Sequence, residues 1–379
     1  MGFERAGYKV NSYFSEVDKH AIAVYKHQFK DSTYVGSVTD VRGGDLPRID
    51  LITFGSPCQD FSQAGSRRGL TGDRSSLIAE AIRLIGECRP RVFIWENVKG
   101  AFSSNDGADF AAILQAFANI GGYRLEWQLL NTSWFLPQNR ERVYLVGHLA
   151  EARGDWGGVF PIGEGDATNT EYNTFKSNEQ EVKVGTWRTH KDGQGFREVK
   201  GGDCPTIPAR AREDGSGQPV IKIKSATSTG YDLATEGDSI NLTAINSTTR
   251  RGRVGKQKAQ TLDTLCEQAV VTPKIIGYTR DAKGKVTDRH LKDTAGTIHT
   301  ASGQGGNTDQ FVQDYRIRRL TPIECERLQG FPDNHTQYGI YDGEVKEMSN
   351  TQRYKQCGNA VTVDVVQAIA ERLHPMFEQ

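Results

Sequence analysis

Three short segments carry side chains suited to covalent chemistry on a heterocycle. Cys58 lies in Gly55-Ser56-Pro57-Cys58-Gln59-Asp60-Phe61-Ser62, a turn directly after an apolar run at 49–54. Thiolate is the best side-chain nucleophile near neutral pH. A lone cysteine is ordinarily an inert core residue. Here the polar neighbours Asp60, Ser62 and Gln63, and the cations Arg67, Arg68 and Arg74, point to function, because positive charge lowers a thiol's pKa. Trp95-Glu96-Asn97-Val98 puts a carboxylate at the end of a strand expected over 91–95. Gln138-Asn139-Arg140-Glu141-Arg142 opens another strand, so that Gln138, Arg140 and Arg142 share one side. Glu96 can hold or protonate a ring nitrogen while Cys58 adds to the neighbouring carbon, and the arginine pair can bind an anionic backbone or stabilise charge. The plainer readings are a solvated strand end or helix cap for Glu96 and a solvated basic face for the arginines.

These residues need a scaffold that brings them together. Over 8–147, strand-like and helix-like segments alternate, which predicts a doubly wound parallel sheet. Strands are expected at 10–14, 49–54, 91–95 and 143–146, and helices at 18–29, 75–88 and 108–120, the first with Ile22, Tyr25 and Phe29 at helical spacing. In such sheets ligands bind beyond the carboxyl ends of the strands, so Cys58 and Glu96, each following a strand, can face one crevice. From about 150 to 316 the chain is rich in Gly, Thr, Ser, Asp and Lys and reads as β strands and loops. Three pieces there look alike: Thr206-Ile207 before Gln218-Pro219-Val220-Ile221, Thr261-Leu262 before Gln268-Ala269-Val270-Val271, and Thr297-Ile298 before Gln310-Phe311-Val312. Shared composition accounts for the likeness as readily as repetition does. The run from Thr321 to Leu328 then starts a helix, with a Thr N-cap, Pro at the first position and Glu324 three residues after the cap. A last helix at 361–373 is placed to pack back on the first domain.

Bulk properties narrow the class. The chain has 379 residues, 36% of them hydrophobic, enough for two domains with a sizeable core. Lys+Arg and Asp+Glu both number 47, yet 183–319 holds 23 basic and 15 acidic residues, a local excess of 8. The six cysteines are scattered, which argues against a disulfide framework or a structural metal. The start carries no secretory pattern, Ala6 stands where a myristoylation motif has Ser or Thr, and no apolar run reaches the roughly 20 residues of a membrane span. A monomer in the cytoplasm, without metal and away from membranes, is the expectation.

GSPCQDFSQAG, WENVKG, QNRERVYLVG, RRLTPIECERLQGFPD and QCGNAV, in this order, resemble the motifs of the DNA (cytosine-5)-methyltransferases of restriction–modification or phage type. The likeness extends over nearly the whole chain apart from the variable middle. It implies an α/β, class I S-adenosylmethionine-dependent methyltransferase fold with a doubly wound, mostly parallel sheet and a smaller β- and loop-rich target-recognition domain. Residues 1–150, completed by 350–379, would bind the cofactor and catalyse; 151–349 would form the recognition domain and hinge. By the resemblance, Cys58 adds to carbon 6 of a cytosine flipped from duplex DNA, Glu96 engages ring nitrogen 3, and Arg142 with Arg140 orients the base. Flipping is needed because a stacked base shields its edges.

The same likeness assigns S-adenosyl-L-methionine to Glu16, Val17, Ser37, Val38, Pro57, Asn359 and Ala360, with Ser37 in place of the usual adenine-contacting Asp. Gln59, Ser62, Arg67 and Arg68 would belong to a loop closing over the DNA, with Gly65, Gly69 and Gly72 as hinges. Thr261 and Thr297 would read the target, and repeated Thr units would mean more than one target sequence. The family opens with a strand and a Phe-x-Gly-x-Gly-Gly loop; residues 1–7 resemble the tail of the helix after that loop, which implies a fold truncated at its N-terminus. The resulting alternative is a catalytically impaired remnant that keeps DNA binding, and RNA is a further candidate substrate less suited to a large variable domain. Duplex DNA and a cognate restriction endonuclease are the implied partners.

Overall fold

Val92-Phe93-Ile94-Trp95 is apolar on both sides, and a strand of that kind belongs in the middle of a covered sheet. In the computed structural model, which describes residues 1–56, 75–149, 158–163, 184–188, 195–198, 219–243, 247, 249–280, 286–292 and 311–377, it forms β4 (Val92–Val98). β4 lies between β3 (Leu51–Gly55) and β6 (Glu141–Leu149), with β5 (Tyr123–Asn131) beyond β6. β1 (Tyr13–Phe14) and β2 (Thr33–Tyr34) form a separate parallel pair.

The α/β class is as expected, but the sheet is mixed. β3 and β4 run parallel, while β6 is antiparallel to both β4 and β5. The reason is the short link at 132–140 between β5 and β6, which turns the chain back where a parallel neighbour needs a long crossover. β4 also runs three residues past the expected end, because the ladder to β6 continues to Val98 opposite Arg142. Glu96 therefore sits within a strand rather than after one.

The register fixes the two faces. Val92, Ile94, Tyr144 and Val146 share one face and pack against Val365, Ala368, Ile369 and Leu373 on and just after α7 (Val363–Arg372). Phe93, Trp95, Val143 and Leu145 face the other way, toward Ile78 and Ile85 of α3 (Ser75–Cys88) and Phe110, Ile113 and Phe117 of α4 (Ala108–Ala118). A Cβ at Gly147 would stand 2.2 Å from the Phe93 ring, so only glycine lets that ring lie flat on β6. α1 (Gly2–Arg5) docks on α7, and α2 (Lys19–Gln28) starts at its Asp18 cap.

The chain divides into two compact units, 1–170 with 326–379, and 171–325. These limits differ from 150 and 349/350 for physical reasons. Val159 and Ile162 are buried in the core under α7, and Glu126 and Gln128 of β5 accept from the amides of Val159 and Ile162. Downstream, Glu326 is fully buried with Arg353 Nη2 at 2.9 Å. Arg353 belongs to α6 (Asn350–Asn359), which follows a hairpin of β16 (Tyr338–Tyr341) and β17 (Glu344–Glu347).

The second unit is all β among its described residues up to the helix α5 (Pro322–Leu328), which begins in it. One sheet runs β10 (Tyr231–Ala234), β9 (Pro219–Lys224), β7 (Val184–Arg188), β8 (Gly195–Glu198). The other runs β12 (Val254–Gly255), β11 (Ser239–Asn241), β13 (Gln268–Arg280), β14 (Val286–Lys292), with β15 (Phe311–Arg319) also on β13. Ile221, Ile223, Ala234, Ile240, Ala269 and Val271 make one core between them. The start of α5 is the expected capping box: Thr321 N donates to Glu324 Oε2 at 2.6 Å, and Glu324 N to Thr321 Oγ1 at 3.3 Å.

Candidate active site

Pairing of β3, β4 and β6 sets Gly55 beside Glu96 and Glu96 beside Tyr144, with Arg142 one step further along the same face. Arg142 Nε lies 3.1 Å from Glu96 Oε1, and the two side chains keep only 14% and 17% of their exposure. Burial pushes the Glu96 carboxyl above the ordinary carboxylate range, against the pull of the Arg142 and Arg140 charges. Burial likewise pushes the Tyr144 phenol up, with the neighbouring Glu96 adding to it. Gly55 matters here for space, since a Cβ there would come within 3.1 Å of Glu96 Oε2.

Arg140 and Gln138 precede β6. Arg140 is buried and donates from Nη2 to Ala360 O at 2.8 Å and Gly358 O at 3.2 Å, so it joins the start of β6 to the C-terminal end of α6. Gln138 is fully buried and donates to Leu328 O at 2.6 Å.

On the opposite face, Trp95 Nε1 and Asn97 Nδ2 both donate to Ser56 Oγ, at 3.1 and 2.6 Å. Ser56 is thereby fixed as the chain leaves β3, two residues before Cys58. In the sequence Ser56 stands out only as a turn residue. The available signal was the period of two on β4, which puts Trp95 and Asn97 on one side and Glu96 on the other.

A second cluster gathers around Glu16. Its Oε1 accepts from Val17 N at 2.7 Å and Asp18 N at 2.9 Å, while nothing among the described residues bonds Oε2. Ser15 Oγ donates to Gly36 O at 2.8 Å and Tyr34 Oη to Glu16 O at 2.9 Å, so Glu16 and Val17 stand next to the Gly36-Ser37-Val38 segment. Lys355 Nζ reaches Asp18 Oδ2 at 2.6 Å, which ties α6, and with it exposed Asn359, to the start of α2. An open carboxylate oxygen that can accept from ribose hydroxyls, the apolar surface of 75%-exposed Val17 for the face of an adenine ring, and the Ser37 hydroxyl stand in one cluster.

Glu96, Arg140 and Arg142 thus come together, as do Glu16, Val17, Ser37 and Val38, and Arg140 and Lys355 link both clusters to the helix ending at Asn359 and Ala360. Pro57, Cys58, Gln59, Ser62, Arg67, Arg68 and Thr297 lie outside the described residues. Thr261 lies in the second unit, where its carbonyl accepts from buried Gln268 Nε2 at 2.9 Å.

A family model described as C-5 cytosine-specific DNA methylase matches residues 1–374. The orphan methyltransferase M.SPRI of Bacillus phage SPR is 27% identical, covering 98% of this chain and 92% of its own. The type II methyltransferase M.Bsp6I of Bacillus sp. (strain RFL6) is also 27% identical, covering 99% and 94%. Among solved structures, a protein described as a DNA modification methyltransferase encoded within a prophage (E. coli) matches with a TM-score of 0.51 at 16% identity, covering 100% of this chain and 95% of the other. At that identity the likeness speaks for the fold.

Proposed function

The chain belongs to the C-5 cytosine-specific DNA methylase family, and from that premise we propose that it methylates carbon 5 of cytosine within a specific duplex sequence, using S-adenosylmethionine and covalent addition of Cys58 to carbon 6 of a flipped base. The observation that carries the reading is the largely buried Glu96 carboxyl, raised in pKa, on the strand next to the one that leads into Ser56 and Cys58, and paired with Arg142 of the strand on its other side.

Carbon 5 of cytosine is too weak a nucleophile to attack a sulfonium methyl. Bond formation from Cys58 Sγ to carbon 6, with the Glu96 proton offered to nitrogen 3, moves electron density onto carbon 5. S-adenosylmethionine supplies the electrophilic methyl group. Loss of the carbon 5 proton to a base then restores the double bond to carbon 6 and expels the Cys58 thiolate, and nitrogen 3 returns its proton to Glu96. Arg142 holds Glu96 in place and offers positive charge to the base; Arg140 secures the C-terminal end of α6 through Gly358 O and Ala360 O. Glu16 Oε2, which no described residue bonds, takes the ribose hydroxyls in this reading, with Val17, Ser37, Val38 and Asn359 around the rest of the cofactor. The unit at 171–325, which contains the basic stretch 183–319, is assigned to target recognition.

The test is incubation with labelled S-adenosylmethionine and duplex DNA, alongside a duplex carrying 5-fluorocytosine. Transfer of label and an adduct that survives denaturation are expected, both lost in Cys58→Ser. A protein that binds DNA but transfers nothing and forms no adduct would sink the reading in favour of an impaired, DNA-binding remnant.

A further inference from the structure

Segment 38–43, which follows Ser37, has little regular structure of its own, yet its backbone is held at three points by one face of α3. Arg83 Nη2 donates to Val38 O at 3.3 Å and to Val41 O at 2.9 Å. Its other nitrogens are oriented from within the helix, Nε to Glu80 Oε2 at 2.9 Å and Nη1 to Glu87 Oε1 at 2.8 Å. Glu87 uses its second oxygen, Oε2, to accept from Gly43 N at 2.7 Å. Both partners feel the arrangement: hydrogen bonds to Glu87 and Glu80 raise the Arg83 pKa, and the Gly43 amide followed by Arg83 lowers that of Glu87.

The geometry needs these residue types. A planar guanidinium can face two carboxylates and two carbonyls at once, which a lysine ammonium on a flexible stem does not reproduce. Gly43 must lack a side chain, because a Cβ there would stand 2.6 Å from Glu87 Cβ. The clamp grips main chain only and leaves Ser37 Oγ bonded to Thr39 Oγ1 at 2.8 Å. An ion pair on a helix surface, with a quarter to a third of each side chain exposed, contributes little to stability. Its consequence is therefore positional.

We propose that Arg83, oriented by Glu80 and Glu87, is a positioning residue that holds the Ser37–Val38 backbone in register for the adenine end of S-adenosylmethionine. This rests on the assignment of Ser37 and Val38 to the cofactor made above. Arg83→Met should raise the KM for S-adenosylmethionine by about 10- to 100-fold, the scale on which a misplaced binding group acts, and leave kcat at saturating cofactor and the Kd for duplex DNA within about twofold. Arg83→Lys should recover part of the loss. Gly43→Ala removes no charge but pushes the same segment away from Glu87; it should reproduce the KM effect, and it carries the test if Arg83→Met does not fold.

Unchanged cofactor KM in a folded Arg83→Met or Gly43→Ala protein would overturn the clamp, as would a loss confined to kcat or to DNA affinity. A wild-type protein that transfers no methyl group would instead overturn the underlying functional assignment, and the proposal with it.

Discussion

Glu96 stands between opposed influences: burial favours its neutral form, and the charges of Arg142 and Arg140 favour its carboxylate. Burial wins, so the side chain keeps a proton above the ordinary carboxylate range while still anchored 3.1 Å from Arg142. That is the state a donor to ring nitrogen 3 requires. Because the folded pKa is raised, the proton is lost as pH rises through that raised value, and turnover that depends on it should fall on the alkaline side. Glu96→Gln keeps a hydrogen-bond donor but has no proton to give, so single-turnover methyl transfer should drop by about 10²- to 10⁴-fold and lose that alkaline limb. The fold carries the same signature. Its Glu96 binds a proton more tightly than the unfolded chain does, so this group's contribution to stability falls as pH rises from the ordinary carboxyl range through the raised value, and Glu96→Gln should flatten that slope. A variant with wild-type transfer rates and an unaltered pH profile would remove Glu96 from the chemistry.

At the scale of elements, the start of α2 has the most direct bearing on the candidate cofactor site, since Asp18 follows Glu16 and Val17. Burial works to raise the Asp18 pKa, but the bonds from Lys355, His20 N and Ala21 N outweigh it and the net shift is downward. The cap's contribution is thus present above the ordinary carboxyl range and lost as pH falls through the lowered value. Asp18→Ala should cost about 1 kcal/mol and free the first turn, visible as several-fold faster amide exchange over α2; exchange unchanged from the wild type would show that the cap is dispensable. Elements with local signals were legible in the sequence: the helical spacing of Ile22, Tyr25 and Phe29, the helix over 75–88, and the Thr321–Glu324 capping box. Elements fixed by distant partners were not. Tyr123–Asn131 is a strand because it pairs with β6 along its length, despite carrying Arg, Glu and Gln. Polar α6 buries Arg353 because Glu326 meets it there. In the site, the order of motifs brought out Glu96, Arg140 and Arg142, whereas Ser56 between Trp95 and Asn97, and Arg83 on Val38 and Val41, depend on partners 39 to 45 residues away that no local pattern announces.

For the whole molecule, the division of charge follows the division of chain. Residues 183–319 carry 8 more basic than acidic side chains and the remainder carries the opposite balance, so the attraction to phosphate is concentrated in the unit at 171–325. Phosphate contacts give affinity without sequence, and base contacts give sequence. The largely buried Glu96–Arg142 pair and the Glu16 cluster, by contrast, lie wholly within the other unit. If chemistry and recognition are separated in this way, exchanging residues 171–325 for the equivalent segment of a relative of different target should change which sequence is methylated and leave the reaction intact. Bisulfite sequencing of DNA treated with the chimaera would then show 5-methylcytosine at the donor's target, and the 5-fluorocytosine adduct would still form through Cys58. Methylation that stayed at the original target would put recognition in the unit of 1–170 and 326–379, and the basic excess at 183–319 would then account for affinity alone.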